Sequence, residues 1–381
     1  MTWPNFDRGF SSAGMSEVFS PARTVAAILE FEAALAGALF DAGLAPVEAV
    51  AAIAEACAEP IGDAERALAT VWETGTPLIA IRSEIEARLD GDSRKWLHHG
   101  ATTQDAVDTG RMLQARAGLG LLIDVTTGVA LHLRRLVEVH RSQPHMARTF
   151  LQDARPTTFG ARAAGWLAAT LGHILELREQ RDRLAIQLGG PSGDAGAFGP
   201  AAGEVIAALS RRIGLAEPLY PWHSDRSPIW SLAGAVGSTA RTMAKIGGDV
   251  SLLAQSSVRE VTVRSGASSS MADKKNPIDA VRTVAAATAC NGFAVMLMSA
   301  PATELDRGVG GWHAEWLALP MLFQTAAAAV EAMEDCLGSL EVDGERMTAA
   351  VDRAGSEPPG GPEPGLIQNV LDRFDEVVEA R

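Results

Sequence analysis

Cysteine and tyrosine are both scarce in this sequence. Its 381 residues include three cysteines and one tyrosine, and aromatic residues make up only 5% of the chain. Cys57, Cys290 and Cys336 lie far apart and form no C-x-x-C spacing, which argues against a disulfide framework and a cysteine zinc site. Alternating β-branched residues are also nearly absent, so the composition favours helices over strands.

Basic residues are outnumbered by acidic ones. Lys and Arg total 33 against 47 Asp and Glu, which gives a net charge of −14. This balance argues against nucleic acid and anionic membranes as partners, although a few local Arg and Lys residues can still bind a small anion. Residues 1–19 show no signal peptide, and no run of about 18 apolar residues lacks charges. We therefore expect a cytoplasmic protein with no membrane partner.

Long helical patterns fill most of the chain. A heptad pattern runs from Leu232 to Leu253, which is typical of a helix that packs nearly parallel to its neighbours. Four glycines interrupt this segment, and we expect them to permit close approach between helices. The other long helices are predicted at 105–140, 157–188, 277–300 and 312–340. The sequence thus predicts an all-α, long-helix bundle without an internal repeat.

Changes in composition divide the chain into three parts. We predict an N-terminal helical domain at 1–100 and a central long-helix bundle at 101–340. A shortened C-terminal segment follows at 341–381. It contains a Pro- and Gly-rich linker at 355–365 and a short amphipathic helix from Leu366 to Val378.

Several known phosphate-binding, metal-binding and catalytic motifs are incomplete or absent in this sequence. The glycine-rich segment from Gly190 to Gly199 follows a helical pattern and lacks a closing G-K-[ST], so it is either an interhelical turn or a loop that lets backbone approach a ligand. His313-Ala-Glu315 is not followed by P-C-x-x-C. No H-E-x-x-H or G-x-S-x-G occurs, and His98-His99 has no second pair at metal spacing. We expect neither a metal nor a cofactor.

Two polar clusters precede long helices. The first, at 98–109, is either a helix cap through Thr102 or Thr103 or an anion site that uses the free N–H groups of the helix N-terminus. The second, at 148–156, is either a polar connector or a carboxylate-binding segment that contains Thr149 and Gln152.

The third polar cluster is serine-rich and occupies 265–277. Such a segment is often a flexible linker. Its position between two long helices, with Lys274 and Asn276 close behind the serines, also suits a mobile loop that closes over an anion and carries an acid–base serine. A positive field from Lys274 would help to lower the pKa of that serine.

Together, the three clusters resemble the signature regions of the fumarase/aspartase superfamily. Its third region reads roughly G-S-S-x-M-P-x-K-x-N-P, and residues 267–277 fit it apart from Ala267 and Ala272. The resemblance covers about residues 14–340. It implies a helical homotetramer in which each active site is built from three subunits, and it places Ser268 at the position of the catalytic serine.

Within the superfamily, the sequence most resembles the bacterial 3-carboxy-cis,cis-muconate cycloisomerases. The resemblance is carried by the strings at 18–20, 31–36, 98–105, 156–160 and 222–226, and above all by Gly311-Trp-His-Ala-Glu-Trp-Leu-Ala-Leu-Pro320. It implies a cofactor-independent enzyme of aromatic catabolism that closes a small tricarboxylate or dicarboxylate to a lactone.

Phe150 separates this branch from other lyases by its chemistry. In fumarase and adenylosuccinate lyase the matching position holds a histidine, which manages protons on the hydroxyl or amine, whereas phenylalanine cannot transfer a proton. A lactonising enzyme needs no acid there because its nucleophile is a substrate carboxylate, already ionised at pH 7.

The resemblance implies the following roles. Ser268 transfers the proton, and His98 binds substrate or shuttles protons unless it is only a capping or core histidine. His223 and His313 are expected to be structural. Substrate carboxylates are expected to bind Thr102, Thr103, Thr149, Gln152, Arg226, Ser269, Lys274 and Asn276.

Some features depart from the family pattern and leave rivals open. Ala272 replaces the usual proline of the loop, Pro228 stands where a second arginine is common, and the segment after Leu340 is short. A β-elimination lyase of the same superfamily, acting on a succinyl-type substrate, is the nearest rival. A non-catalytic helical scaffold is the other.

Overall fold

The computed structural model describes residues 9–266, 271, 274–299, 303–355 and 364–379. This part of the chain contains fifteen α-helices and four short β-strands. The helices are α1 Ala13–Val18, α2 Pro21–Asp41, α3 Val47–Ala58, α4 Ala64–Ala69, α5 Val71–Thr74, α6 Leu78–Ala87, α7 Gly91–Arg94, α8 Thr103–Val139, α9 Phe159–Arg183, α10 Ala202–Ile213, α11 Ser227–Ala254, α12 Ile278–Met298, α13 Gly311–Gly338, α14 Gly344–Arg353 and α15 Pro364–Phe374. The strands are β1 Pro144–Thr149, β2 Gln152–Thr158, β3 Val261–Thr262 and β4 Glu341–Val342.

Local signals set several helix starts. The Ser20 side chain accepts a hydrogen bond from the backbone N–H of Arg23, and Pro21 occupies the first position of α2. Thr158 caps α9 in the same way. These side chains satisfy N–H groups that have no partner inside the helix.

The long helices α8, α9, α11, α12 and α13 form the centre of the bundle. The heptad predicted for α11 is confirmed, because Leu232, Val236, Met243 and Val250 are fully buried. The expected close approach of helices holds at Gly237 and Gly247, where an added Cβ would lie 3.3 Å and 3.1 Å from atoms of α12. Gly234 and Gly248 have nothing within 4 Å.

Most of the buried hydrophobic side chains belong to one core, apart from a small second cluster of Met146, Ala350 and Val351. One cluster of buried side chains extends from Met15 to Val377 and includes residues of α2, α8, α11 and α13. The predicted division at residues 100 and 340 therefore does not follow a gap in this core, and it stays a prediction.

A β-hairpin replaces part of one predicted helix. The helix expected at 157–188 begins at Phe159 and ends at Arg183, because residues 152–158 form β2, which pairs with β1 in an antiparallel hairpin. Leu184 to Leu188 continue beyond the helix as an extended buried segment, with Ala185 bridging to Ala216.

Contrary to the expectation from the sequence, three helices are long and apolar enough to cross a membrane, judged by length and composition alone. They are α8, α12 and α13, and 50%, 33% and 67% of their most apolar windows are buried inside the molecule. Packing in the bundle accounts for much of the apolar character of α8 and α13. The expectation of no membrane partner stays a prediction.

Candidate active site

Asp105 fixes the shape of the first polar cluster. Its buried carboxylate accepts hydrogen bonds from the backbone N–H groups of Thr102, Gly189 and Gly190, each at 2.9 Å, and lies 2.7 Å from Nε2 of His223. The glycine-rich segment is thus held against the start of α8, and its contacts are those of an interhelical turn. This contact agrees with the structural role expected for His223, which stays a prediction.

Two threonine hydroxyls lie at the N-terminus of α8. Thr102 Oγ1 accepts a hydrogen bond of 3.1 Å from Arg307, and Thr103 Oγ1 lies 3.1 Å from Thr76 Oγ1. The half-buried guanidinium of Arg307 and the positive end of the helix dipole both favour a negative charge here. Arg307 was missed in the sequence analysis, where the only available signal was its position a few residues before the string at 311–320.

His98 is oriented by a buried carboxylate. Its Nδ1 lies 2.7 Å from Oε1 of Glu32, and both side chains are nearly inaccessible to solvent. Oε2 of Glu32 has no hydrogen-bond partner among the described residues. His98 also adopts a left-handed backbone conformation, with φ of 56°, which is uncommon for a residue with a side chain. The pairing with Glu32 was not predicted, and it fixes one ring nitrogen of His98.

Arg226 forms ion pairs with two buried carboxylates. Its guanidinium donates to Asp108 at 2.7 and 3.1 Å, and to Glu315 at 2.9 and 2.5 Å. It also stacks on Trp222, and Trp312 Nε1 donates to Asp108 at 2.9 Å. The expected contact of Arg226 with substrate has no support in this geometry and stays a prediction.

Burial and the ion pairs shift the pKa values of Arg226 and Glu315. Burial lowers the pKa of Arg226, but Asp108 and Glu315 more than offset this and hold it above the usual value. Burial raises the pKa of Glu315, and Arg226 opposes that rise. The cluster is therefore a buried ion triad whose members depend on one another.

The second polar cluster is the tip of the β1–β2 hairpin. Thr149 and Gln152 face each other across the turn, and both are exposed. Phe150 and Leu151 form the turn itself with φ of 51° and 62°, and Phe150 is fully exposed. Two-residue hairpin turns with positive φ usually contain Asn or Gly. Two apolar residues at such a tip are strained and exposed in the single chain.

The third polar cluster lies only partly within the described residues. Ser268 and Ser269 lie outside them. Lys274 is exposed, and the carbonyl oxygen of the half-buried Asn276 accepts a hydrogen bond of 3.1 Å from Gly266 N–H. Arg264, at the start of this segment, donates to Asp279 at 2.8 and 2.9 Å.

Within one chain, the second and third clusters lie at the same end of the bundle. Arg148 of the hairpin binds Glu260, just before β3, at 2.6 and 2.7 Å. The first cluster lies at the opposite end, because α8 has 37 residues and separates it from the hairpin by about 55 Å. Thr102 and Thr103 therefore do not meet the predicted residues of the other two clusters within one chain.

No group of three or more His, Cys, Asp or Glu side chains is arranged to hold a metal ion in the part of the chain that the structure describes. The expectation that the reaction needs no metal or cofactor stays a prediction.

The bundle of long helices, with three polar clusters at its ends, has the architecture of a lyase of the fumarase/aspartase type. The profile of the family described as "Lyase" matches residues 11–291, and the chain belongs to this family.

Individual relatives narrow the comparison. The chain is 40% identical over 351 residues to 3-carboxy-cis,cis-muconate cycloisomerase from Pseudomonas aeruginosa, covering 90% of this chain and 76% of that protein. The crystal structure of the 3-carboxy-cis,cis-muconate lactonizing enzyme from Pseudomonas putida has a TM-score of 0.83 at 33% identity, covering 99% of this chain and 88% of that one. Fumarate lyase from Mesorhizobium sp. BNC1 has a TM-score of 0.85 at 31% identity, with 92% and 80% covered.

Proposed function

We propose that this protein is a cycloisomerase that closes 3-carboxy-cis,cis-muconate to 4-carboxymuconolactone in protocatechuate breakdown. The observation that carries the proposal is the 40% identity, over 90% of this chain, to an enzyme of that name. The similarity to the structure of the lactonizing enzyme agrees with it.

The proposed chemistry requires one proton transfer. A carboxylate oxygen of the substrate adds to a carbon–carbon double bond, and the electron pair moves to the carbon α to another carboxylate. This addition produces an aci-carboxylate. Its α carbon then takes up one proton, which gives the lactone. Ser268 is the proposed proton-transfer residue, with His98 as a binding or shuttling group, and such acid–base help is worth roughly 10²–10⁴-fold.

Anion binding accounts for the remaining site residues. Thr102, Thr103 and the half-buried Arg307 lie at the N-terminus of α8, where a substrate carboxylate would be stabilised. Lys274 and Asn276 are proposed to bind the same substrate from the third cluster, together with Ser269. Thr149 and Gln152 are proposed to do so from the hairpin.

These groups can meet only if several chains assemble, so we propose a homotetramer with active sites shared between subunits. The 37-residue α8 keeps the first cluster about 55 Å from the hairpin of its own chain. The exposed tip formed by Phe150 and Leu151 is suited to insertion into a neighbouring subunit, where burial of the two apolar side chains would offset the backbone strain.

Helix α12 offers a surface for that assembly. It packs between α11 and α13, yet its outward face exposes several apolar side chains, namely Val281, Val284, Val295, Met296 and Met298. Exposed apolar residues on a central helix are characteristic of an interface between chains. We further propose that the assembled enzyme is soluble and works in the cytoplasm.

The test is the ultraviolet absorbance of 3-carboxy-cis,cis-muconate mixed with purified protein and no added metal or cofactor. The conjugated-diene band should disappear at a rate proportional to enzyme concentration. Ser268→Ala should lower that rate at least about 10²-fold, whereas Ser270→Ala, at the variable position of the same motif, should leave it nearly unchanged. Equal rates for the wild type and Ser268→Ala would remove Ser268 from the mechanism.

A β-elimination lyase is the second candidate, because the fumarate lyase from Mesorhizobium sp. BNC1 superposes equally well. Phe150 argues against it, since an amine or alkoxide leaving group needs a proton donor that phenylalanine cannot supply. Release of fumarate from a succinyl substrate, with no loss of the muconate band, would favour this candidate. Inactivity on both substrate classes would favour the non-catalytic scaffold.

A further inference from the structure

A large cavity lies between α2, α8 and α13, next to the first polar cluster. Its volume is about 800 Å³, within the usual range of small-molecule sites. Trp72, His313 and Trp316 line one wall, with ring centroids 4.7–6.4 Å apart. The cavity therefore presents a wall of flat aromatic surface.

Arg111 is the one charged side chain among the described residues that line this cavity. It is half-buried and donates a single hydrogen bond, of 3.3 Å, to the carbonyl oxygen of Trp316. Within the described residues no carboxylate forms an ion pair with it. Burial lowers the pKa of Arg111 to about 10, so the guanidinium remains charged at pH 7.

An unpaired guanidinium that is partly removed from water lowers the stability of the folded protein. An anion that reaches the guanidinium offsets this loss. Asp108 and Glu315 act on Arg111 only through space. Both are already hydrogen-bonded to Arg226. The rival explanation is that Arg111 merely balances the excess negative charge of that pair, without binding any ligand.

The helical spacing of residues in α8 places Arg111 on the cavity surface. Val107, Gly110, Arg111 and Gln114 recur at helical spacing and all line the cavity. The NH2 group of Gln114 is occupied, because its Nε2 donates to the Val18 carbonyl oxygen and to Thr24. Arg111 thus remains the group best placed to bind a carboxylate.

We propose that this cavity binds a small monocarboxylate with a flat, apolar body, its carboxylate on Arg111 and its ring against the wall of Trp72, His313 and Trp316. A charge-assisted, bidentate hydrogen bond would satisfy the guanidinium, and ring stacking would bury the body. One cation in an otherwise uncharged lining specifies one negative charge. The proposal does not depend on the reaction proposed above, because binding is measured without turnover.

The test uses benzoate as the probe and benzyl alcohol as its neutral counterpart of similar shape. Isothermal titration of the full-length protein with benzoate should give saturable binding, and benzyl alcohol should bind at least about 10-fold more weakly because it cannot form the charged pair. Quenching of tryptophan fluorescence by benzoate should be reduced in Trp72→Phe, which lies in the cavity.

The matched variants are on the same helix. Arg111→Met should weaken benzoate at least about 10-fold and leave benzyl alcohol unchanged. Arg116→Met is the control, since Arg116 donates to the carbonyl oxygens of Ile213 and Gly214 outside the cavity, and it should bind benzoate as the wild type does.

Three results would overturn the proposal. The first is no saturable binding of benzoate to the wild-type protein. The second is equal affinity for benzoate and benzyl alcohol, a comparison that needs no variant and so survives any folding defect. The third is an Arg111→Met protein that is less stable yet binds benzoate normally, which would establish charge balance with Asp108 and Glu315 as the role of Arg111.

Discussion

Replacing Arg226 by methionine tests the buried ion triad. Methionine keeps much of the length of the side chain but removes the only described group that forms ion pairs with Asp108 and Glu315. If Arg226 is structural, the variant should lose stability. If it is mainly a substrate ligand, as the family resemblance implies, the variant should fold normally and lose only turnover.

The expected loss follows from the burial and the contacts. All three side chains are at most 6% exposed, and four hydrogen bonds join them. Removing one partner of such a buried pair typically costs about 3–5 kcal/mol, because it leaves an uncompensated charge. That is a large part of the roughly 5–15 kcal/mol by which folded proteins are stable.

The loss should also depend on pH. Burial already raises the pKa of Glu315, and Arg226 opposes that rise; without Arg226 this pKa would lie further above its value in the unfolded chain. The folded variant would then bind more protons than the unfolded chain, so its stability would fall as pH rises from about 5 to 7.5. The difference from the wild type should be larger at pH 7.5 than at pH 5.5.

Urea unfolding at both pH values, at constant protein concentration, measures this difference. Arg116→Met is again the matched control, since it loses only hydrogen bonds to carbonyl oxygens near the surface. Arg226→Met would refute the reasoning if it lost less than about 1 kcal/mol in free energy of unfolding, or lost the same amount at both pH values. Arg226 would then be better explained as a substrate ligand.

Three further perturbations address other parts of the molecule. Gly190→Ala should cost about 1–3 kcal/mol in urea unfolding, because Gly190 has φ of +69° and a Cβ would lie 2.6 Å from the Gly100 carbonyl oxygen. His145→Leu should flatten the pH dependence of stability between pH 6 and 4. Burial lowers the pKa of His145 to about 3, so the wild type should lose about 1.4 kcal/mol per unit as pH falls below about 6.5. Phe150→Asn should raise the melting temperature of the isolated chain by relieving a positive φ, yet lower the native mass and turnover of the assembled enzyme.

Each of these has a control or a contrary outcome. Gly172→Ala, with nothing within 4 Å of its Cβ in a helix, should gain about 0.5–1 kcal/mol. An unchanged slope of stability against pH in His145→Leu would show that His145 is not the group that titrates. Full turnover in Phe150→Asn would exclude the hairpin tip from a shared active site.

The long helices could be predicted from the sequence because their apolar positions repeat at the spacing of a helix. The pattern from Leu232 to Leu253 gave α11 within a few residues. The β1–β2 hairpin could not be predicted, because its turn lacks the Asn or Gly that marks such turns and uses Phe150 and Leu151 instead. Tertiary contacts, such as the pairing of Arg148 with Glu260, stabilise a turn that local propensity disfavours.

The candidate site could be predicted in part. The clusters around Thr102, Thr149 and Asn276 were recognised by motif, but the motifs do not show that α8 separates the first from the others. Arg307 and Glu32 were missed because their partners, Thr102 and His98, are 205 and 66 residues away along the chain. Such pairings leave no local pattern in a single sequence.

The first three turns of α8 explain why this segment is hard to interpret from sequence. Asp105, Asp108 and Arg111 follow one another at intervals of three residues, which in an exposed helix would be ordinary charges on one side. Here each has a different environment. Asp105 holds the glycine-rich turn and His223, and Asp108 is paired with Arg226. Arg111 alone faces a cavity without a carboxylate. Because a charge that is partly removed from water is stabilised by a partner, the half-buried, unpaired Arg111 is the one in this series for which a bound anion is expected.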